Sequence, residues 1–396
     1  MAKRSTAARV GLFTESVIRE MTRLNNLYNG VNLAQGFPDF DPPGELLDAA
    51  AKALREGYNQ YAITWGAPRL RQAVAEKFGW YNGVNVDPDL HITVTCGATE
   101  AMMATLLAII DPGDEVVIFE PFYENYGPDA ALSGATPRYV TLHLDDPEFR
   151  FDPADLRDAF SAKTTAIIIN TPHNPTGKVF SRAELELVAE QCRQHDVVAV
   201  TDEVYEHLLY DGRQHVSIAA LPGMAERTVT INSVSKTYSV TGWRVGWTIC
   251  KNLDITSGIR RAHDFLTVGA AAPLQEAAVT ALRMSRQYYV DLAALYERKR
   301  DRMLDILRQA RFRPIVPSGA YYIMSEIGEF AQDDVAFTQF LVKEIGVATV
   351  PGSSFFHQPR DGRRYIRFAY PKQDPTLDEV ARRLARLPRA VEKLKR

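Results

Sequence analysis

The sequence predicts an α/β fold: a large unit built on a mainly parallel sheet between helices, followed by a smaller α+β unit. Three observations carry that expectation. Short apolar, β-branched runs alternate with helical patterns through the middle of the chain, the pattern of parallel strands buried on both faces. Polar segments punctuated by glycine and proline follow the ends of those runs. Beyond residue 285 the rhythm changes to longer helices between isolated strands. A chain of 396 residues, 46% of them hydrophobic, is long enough for two or three such units.

The elements follow in order. His91 to Thr95 reads as a strand and Ala98 to Ile110 as the helix after it. Glu115 to Glu120 is the next strand. Ala166 to Asn170 leads through a loop to helical spacing over Arg182 to His195. Val197 to Thr201, Thr228 to Asn232 and Gly246 to Cys250 read as further strands. Pro273 to about Arg311 reads as one or two long helices. Strands are expected over Tyr321 to Ser325, Val347 to Val350 and Arg364 to Ala369, with helices near Val335 to Ile345 and Thr376 to Leu387. The division expected is an arm over 1–43 that belongs to the small unit, a large unit over 44–285, and a small unit over 286–396.

Composition excludes several function classes. Forty-six basic residues against 49 acidic ones leave a net charge of −3, the wrong balance for a nucleic-acid or polybasic membrane-surface protein. The longest apolar run, Ala101 to Ile110, is too short to span a bilayer. Lys3, Arg4 and Arg9 are not followed by the apolar stretch of a secretory signal. Three scattered cysteines offer neither a disulfide framework nor a CxxC metal site and fit a reducing, cytoplasmic setting. The eight histidines have no metal-ligand spacing, so no metal is expected.

Four unusual segments lie just past the ends of expected strands, where open α/β sheets place their ligand crevice. They are Cys96-Gly97-Ala98-Thr99-Glu100, Thr171-Pro172-His173-Asn174-Pro175-Thr176-Gly177, Asp202-Glu203-Val204-Tyr205 and Ser233-Val234-Ser235-Lys236. A lone lysine is ordinarily a solvated charge. Ser233-x-x-Lys236 would also suit a serine nucleophile of the β-lactamase type, but the Ser-Asp-Asn and Lys-Thr-Gly companions are missing. The alternative is a Schiff-base lysine, which must lose its proton to attack a carbonyl; nearby Arg244 would favour the neutral amine and offer a fork to a phosphate. Asp202, at the end of a buried strand, needs a partner. It is a helix cap, an ion-pair member or, with a Schiff-base lysine nearby, the carboxylate that keeps a pyridine ring protonated. Gly97-Ala98-Thr99 opens a helix whose free N–H groups suit a phosphate. Asn174 ordinarily serves only its turn, and His173 is expected at the surface or in packing. GxGxxG, the P-loop and HExxH are all missing.

Ser233-x-Ser235-Lys236 with Gly242-x-Arg244, Asn170-Thr171-Pro172-x-Asn174-Pro175-Thr176-Gly177 and Asp202-Glu203-x-Tyr205 stand in an order and spacing that resemble fold type I, pyridoxal-phosphate-dependent class I/II aminotransferases, from about Gly30 to Tyr370. The resemblance implies a seven-stranded, mainly parallel sheet and pyridoxal 5'-phosphate as cofactor. It makes Lys236 the Schiff-base lysine and proton shuttle, Asp202 the partner of the pyridine nitrogen, and Tyr205 and Asn174 hydrogen-bond partners of the phenolic oxygen. Ser233, Arg244, Ala98 and Thr99 become phosphate ligands and Tyr123 the ring stacked on the cofactor. Tyr61 would reach the phosphate of the neighbouring subunit, which implies a homodimer with sites at its interface. Arg367 would grip the substrate α-carboxylate, approached also by the backbone of Gly36, with Asn174 a further substrate contact.

Gln35-Gly36-Phe37-Pro38-Asp39-Phe40 and Asn59-Gln60-Tyr61 are similar to the kynurenine, glutamine and methionine transaminase group. Where kynurenine-type members place aromatic residues, Thr267 to Pro273 holds small ones. Arg260 and Arg261 lie near in sequence, but nothing assigns either to a substrate side chain. The function implied is transfer of an amino group between an L-amino acid and a 2-oxo acid, with 2-oxoglutarate and glutamate as one pair. A carbon–sulfur β-lyase on the same scaffold and a non-catalytic cofactor-binding regulator are the rivals.

Overall fold

The structure is a computed structural model and describes residues 6–145 and 147–394; Lys3 and Arg4 lie outside them. A seven-stranded sheet organises the larger part: β1 (Ile92–Thr95), β2 (Glu115–Glu120), β3 (Thr136–Thr141), β4 (Thr164–Asn170), β5 (Val198–Asp202), β6 (Thr228–Ser233) and β7 (Gly246–Ile249). Their order across the sheet is β1-β7-β6-β5-β4-β2-β3, and only β7 runs antiparallel to its neighbours. The strand runs are continuously apolar because alternate residues bury on opposite faces. Val117, Phe119, Ile167, Ile169 and Ala199 pack with Leu185 and Val188 of helix Arg182–His195. Val116, Ile118, Ile168, Val200 and Ile231 pack with Ala101 and Met102 of helix Gly97–Ile109.

β3 is the strand whose hydropathy is silent. It forms the sheet edge, carries Pro137 and is exposed or half-exposed at all its residues but Val140, so it offers no apolar run.

Four further strands, β8 (Arg313–Pro314), β9 (Tyr322–Glu326), β10 (Val350–Pro351) and β11 (Tyr365–Ala369), form an antiparallel sheet in the order β8-β9-β11-β10. The stretch expected as one strand over Val347 to Val350 divides at Thr349. Val347–Ala348 pairs in parallel with Val31–Asn32, whereas Val350–Pro351 joins β11. The long helical stretch is likewise two helices, Ala272–Leu282 and Arg286–Gln309.

The register sets the site. Asn170 lies opposite Asp202 across β4 and β5, and Gly246 lies between Thr95 of β1 and Ser233 of β6. The carboxyl ends of β1, β4, β5 and β6 therefore deliver the four unusual segments to one edge.

Candidate active site

A cavity of about 510 Å3 opens at that edge. Ala98, Thr99, Asn170, Asn174, Asp202 and Tyr205 line it, as do Tyr123, Ser233, Ser235, Lys236, Arg244 and Tyr322; Gly36 closes it from the N-terminal segment. Segments more than 130 residues apart in sequence thus meet, as their positions at strand ends require.

Lys236 is held in place without an anionic partner among the described residues. Its Nζ donates to Gly36 O at 3.3 Å and lies 5.7 and 5.8 Å from the ring centres of Tyr205 and Tyr321. Burial pushes its pKa down to about 8; the Asp202 carboxylate opposes that shift, and Arg244 and Arg367 reinforce it. Asp202 Oδ2 accepts from the Tyr126 hydroxyl at 2.8 Å, and Oδ1 from the backbone N–H of Val204 at 3.3 Å. Burial raises this carboxyl to about 6 even though both bonds favour its charged form.

The opposite requirement, a cradle for an anion, is met around Gly97. This residue has φ +82°, and a Cβ there would lie 2.5 Å from Arg244 Nη2, so only glycine lets the guanidinium close on the helix start. The first N–H groups of helix Gly97–Ile109 have no intrahelical acceptor and carry its positive end. Ser235 Oγ is buried with no partner among the described residues. Two serines, an arginine and a helix start suit a phosphate; a lysine with a lowered pKa suits an aldehyde; a buried carboxylate suits a pyridine nitrogen. The donor set fits pyridoxal 5'-phosphate.

Arg367 projects from β11 and is fully buried. Its Nη1 donates to Asn174 Oδ1 at 2.8 Å and its Nη2 to Ala34 O at 2.5 Å; Cζ lies 4.4 Å from the Tyr322 ring centre. Its Nε has no acceptor among the described residues. Gly36 approaches so closely that a Cβ would lie 2.0 Å from the Tyr322 hydroxyl, which itself bonds to the Tyr205 hydroxyl at 2.9 Å.

Other expected residues fall elsewhere. Tyr61 is 89% exposed, outside the cavity of its own chain. His173 is buried in packing rather than at the surface, its Nδ1 2.7 Å from Thr176 Oγ1. Arg260 stacks on Trp65 and bonds the carbonyls of Asp89 and Ile92, and Arg261 bonds the carbonyl of Ser257; neither lines the cavity.

Sequence reasoning passed over Tyr126, Tyr322, Ser235, Asp129 and Arg19, all of which line the cavity. Asp129 is buried, its Oδ2 has no partner among the described residues, and burial raises it to about 7. Ser235 was the most accessible of these, standing beside Lys236 in the same motif. Glu203, Glu206 and His215 form a buried group with metal-ligand proximity, but the Lys77 ammonium pairs with Glu206 and already supplies the cation.

Residues 28–384 match the aminotransferase class I and II family. The chain is 36% identical to kynurenine–oxoglutarate transaminase 1 of Mus musculus, over 97% of this chain and 98% of that one. It is also 36% identical to the methionine aminotransferase of Escherichia coli, over 94% and 96%. Among solved structures, the N-succinyldiaminopimelate aminotransferase of Mycobacterium tuberculosis superposes with a TM-score of 0.94 at 38% identity, over 97% of this chain and all of that one. With the fold, the strand-end cavity and these full-length likenesses in agreement, the chain belongs to the class I and II aminotransferases and is a pyridoxal-phosphate-dependent enzyme of that family.

Proposed function

We propose that this cavity moves an amino group between an L-amino acid and a 2-oxo acid in two half-reactions, with Lys236 as the base, and that 2-oxoglutarate and glutamate form one substrate pair. The single observation that carries the reading is a half-buried lysine, without a carboxylate partner among the described residues, facing the same cavity as an anion cradle and a buried carboxylate. The kynurenine relative's name includes oxoglutarate, which supports the substrate pair.

When bound, pyridoxal phosphate supplies a carbonyl that takes up the amino group and a protonated ring that withdraws electrons from the α-carbon. Ala98, Thr99, Ser233, Ser235 and Arg244 would hold its phosphate, Asp202 its ring nitrogen, and Tyr205 and Asn174 its phenolic oxygen, with Tyr123 against the ring. Arg367 receives the substrate α-carboxylate beside Gly36 and has a donor free for it at Nε. Lys236 Nζ takes the proton from the α-carbon and returns it, a role that a pKa near 8 suits at neutral pH.

The second subunit enters through the surface. Tyr61 and Ile63 are exposed on a loop whose Thr64 carbonyl lies 2.8 Å from His263 Nε2, and Phe265, Leu266 and Val268 are exposed just beyond His263. That apolar patch supports a homodimer in which Tyr61 reaches the neighbour's phosphate site. Phe265, two residues before the small-residue loop 267–273, is 93% exposed. The division at residues 43 and 285 is supported by the two separate sheets and by the pairing of Val31–Asn32 with Val347–Ala348. No helix among the described residues is long and apolar enough to cross a membrane. The three cysteines are unpaired, which supports a cytoplasmic location.

Steady-state kinetics with an amino acid and 2-oxoglutarate varied together test the reading. Parallel double-reciprocal lines, with the matching oxo acid and glutamate formed in equal amounts, are expected. Pyruvate and ammonia accumulating from a cysteine conjugate, with no amino transfer, would replace it with the β-lyase.

A further inference from the structure

One cation in the cavity has no part in the reaction just described. Arg19 stands in the first turn of helix Val17–Leu27 and lines the cavity with Ser16, Gln35 and Phe37. Its guanidinium makes no hydrogen bond or ion pair among the described residues, and the carboxylate of Glu15 is held by Arg23 instead. Two of the carboxylates lining the same cavity are engaged elsewhere: Asp202 with Tyr126 and the Val204 N–H, and Glu124 with the N-terminus of Arg19's own helix.

That helix is fixed at two points. Ser16 Oγ donates to Glu124 Oε1 at 2.5 Å, and the N–H of Ile18 points to Glu124 Oε2 at 3.5 Å, which ties the helix start to the segment carrying Tyr123. One turn on, Thr22 Oγ1 donates to Gln35 Oε1 at 3.3 Å. Gln35 lies between Ala34, whose carbonyl receives Arg367, and Gly36, whose carbonyl receives Lys236. The helix therefore places Arg19 on the wall that also meets the α-carboxylate end of the site. A second, unpaired guanidinium there suits a second carboxylate, because a planar fork binds one through two parallel hydrogen bonds.

We propose that Arg19 is a specificity-determining residue that receives the distal carboxylate of a dicarboxylic substrate, such as a five-carbon amino diacid and its 2-oxo counterpart. The proposal rests on the aminotransferase reading of the cavity and names a substrate class for it.

The test uses the holoenzyme and its R19Q and R19K variants; the exposed, unpaired side chain can be exchanged without breaking an interaction that holds the fold. Dissociation constants are measured by calorimetry for the unreactive diacid glutarate and for pentanoate, a monoacid of equal chain length. In parallel, KM is measured for glutamate and for norvaline. R19Q is expected to weaken glutarate and raise the KM of glutamate by about 10- to 100-fold, the range of a charged hydrogen-bonded pair at a partly exposed site. Pentanoate and norvaline should be unchanged, and R19K should recover part of the loss. Equal losses for diacid and monoacid, or no loss for either, would overturn the proposal. Failure of the wild-type enzyme to transfer an amino group would instead sink the aminotransferase reading, while the binding comparison would still decide the role of Arg19.

Discussion

A buried lysine, Lys77, and a half-buried one, Lys236, lie near one turn of the chain, and the difference between them separates structural charge from chemical charge. Asp202 and Glu203 are consecutive, yet their side chains serve different clusters. Glu203 and the nearby Glu206 join Lys77, Asn82, His215, Ser217 and Asn232 in a network in which both carboxylates are saturated. Glu206 pairs with Lys77 and accepts from Asn232 at 2.6 Å; Glu203 accepts from Ser217 at 2.8 Å and lies 2.9 Å from His215 Nε2. Burial disfavours the His215 cation, but the charge and hydrogen bond of the Glu203 carboxylate together outweigh it and raise its pKa. Lys236 has no such partner. It faces a cavity, bonds a single carbonyl at 3.3 Å and has its pKa driven down. A lysine whose charge is neutralised by its neighbours supports the fold, whereas one left half-solvated by protein groups is free to react.

The sharpest way to break this contrast is to remove each lysine in turn. Lys236→Ala is expected to lower turnover by on the order of 10^4-fold or more while leaving the urea midpoint close to wild type, since it removes a desolvated amine with no ion pair. Full activity in that variant would end the assignment. Lys77→Ala should do the reverse. It strands Glu206, and chemical unfolding should show a loss of about 3–5 kcal/mol, with turnover retained in the fraction that stays folded.

A pH titration sharpens the comparison further. The amine of Lys236 is neutral in the native protein above about pH 8 but in the unfolded chain only above its ordinary value near 10.5. Between those values the unfolded state binds the extra proton, so in the cofactor-free protein this group adds stability as pH rises from 8 to 10.5. The same protonation governs capture of the cofactor. The rate of holoenzyme formation should rise about tenfold per pH unit below 8 and level off above it. A rate that keeps rising through pH 9 towards 10.5, as an ordinary lysine would give, would contradict a lowered lysine pKa.

The smallest effect is expected at Tyr126. Tyr126→Phe removes the 2.8 Å bond that favours ionised Asp202, worth about 1.5–3 kcal/mol for a charged acceptor, part of which water will restore. Cofactor affinity should fall modestly, and the Asp202 carboxyl should titrate higher still. An unchanged affinity would show that the bond does not orient the carboxylate.

Much of this was legible in the sequence because sheet topology turns a local signal into a spatial one. A polar motif after an apolar strand lands at the crevice whatever its distance along the chain, and Asp202, Asn174, Ser233 and Lys236 were readable on that ground. Arg367 was not readable from periodicity, since it sits inside a strand whose other residues are core; the resemblance supplied it. Tyr322, Tyr126 and Asp129 carry no motif, and their proximity to Asp202, Lys236 and Tyr205 arises only when separate elements close around the cavity. Arg19 reads as one charge on an amphipathic helix until that helix is seen tied to Glu124. The edge strand Thr136–Thr141 escaped because an exposed edge needs little apolar surface.

The central claim is that Lys236, and not another lysine, carries the cofactor. Borohydride reduction of the purified holoenzyme, proteolysis and mass spectrometry of the labelled peptide test it directly. One phosphopyridoxyl group per chain is expected, on the peptide containing Ser233-Val234-Ser235-Lys236. Label on Lys77 or any other lysine, or no label after saturation with pyridoxal phosphate, would contradict it.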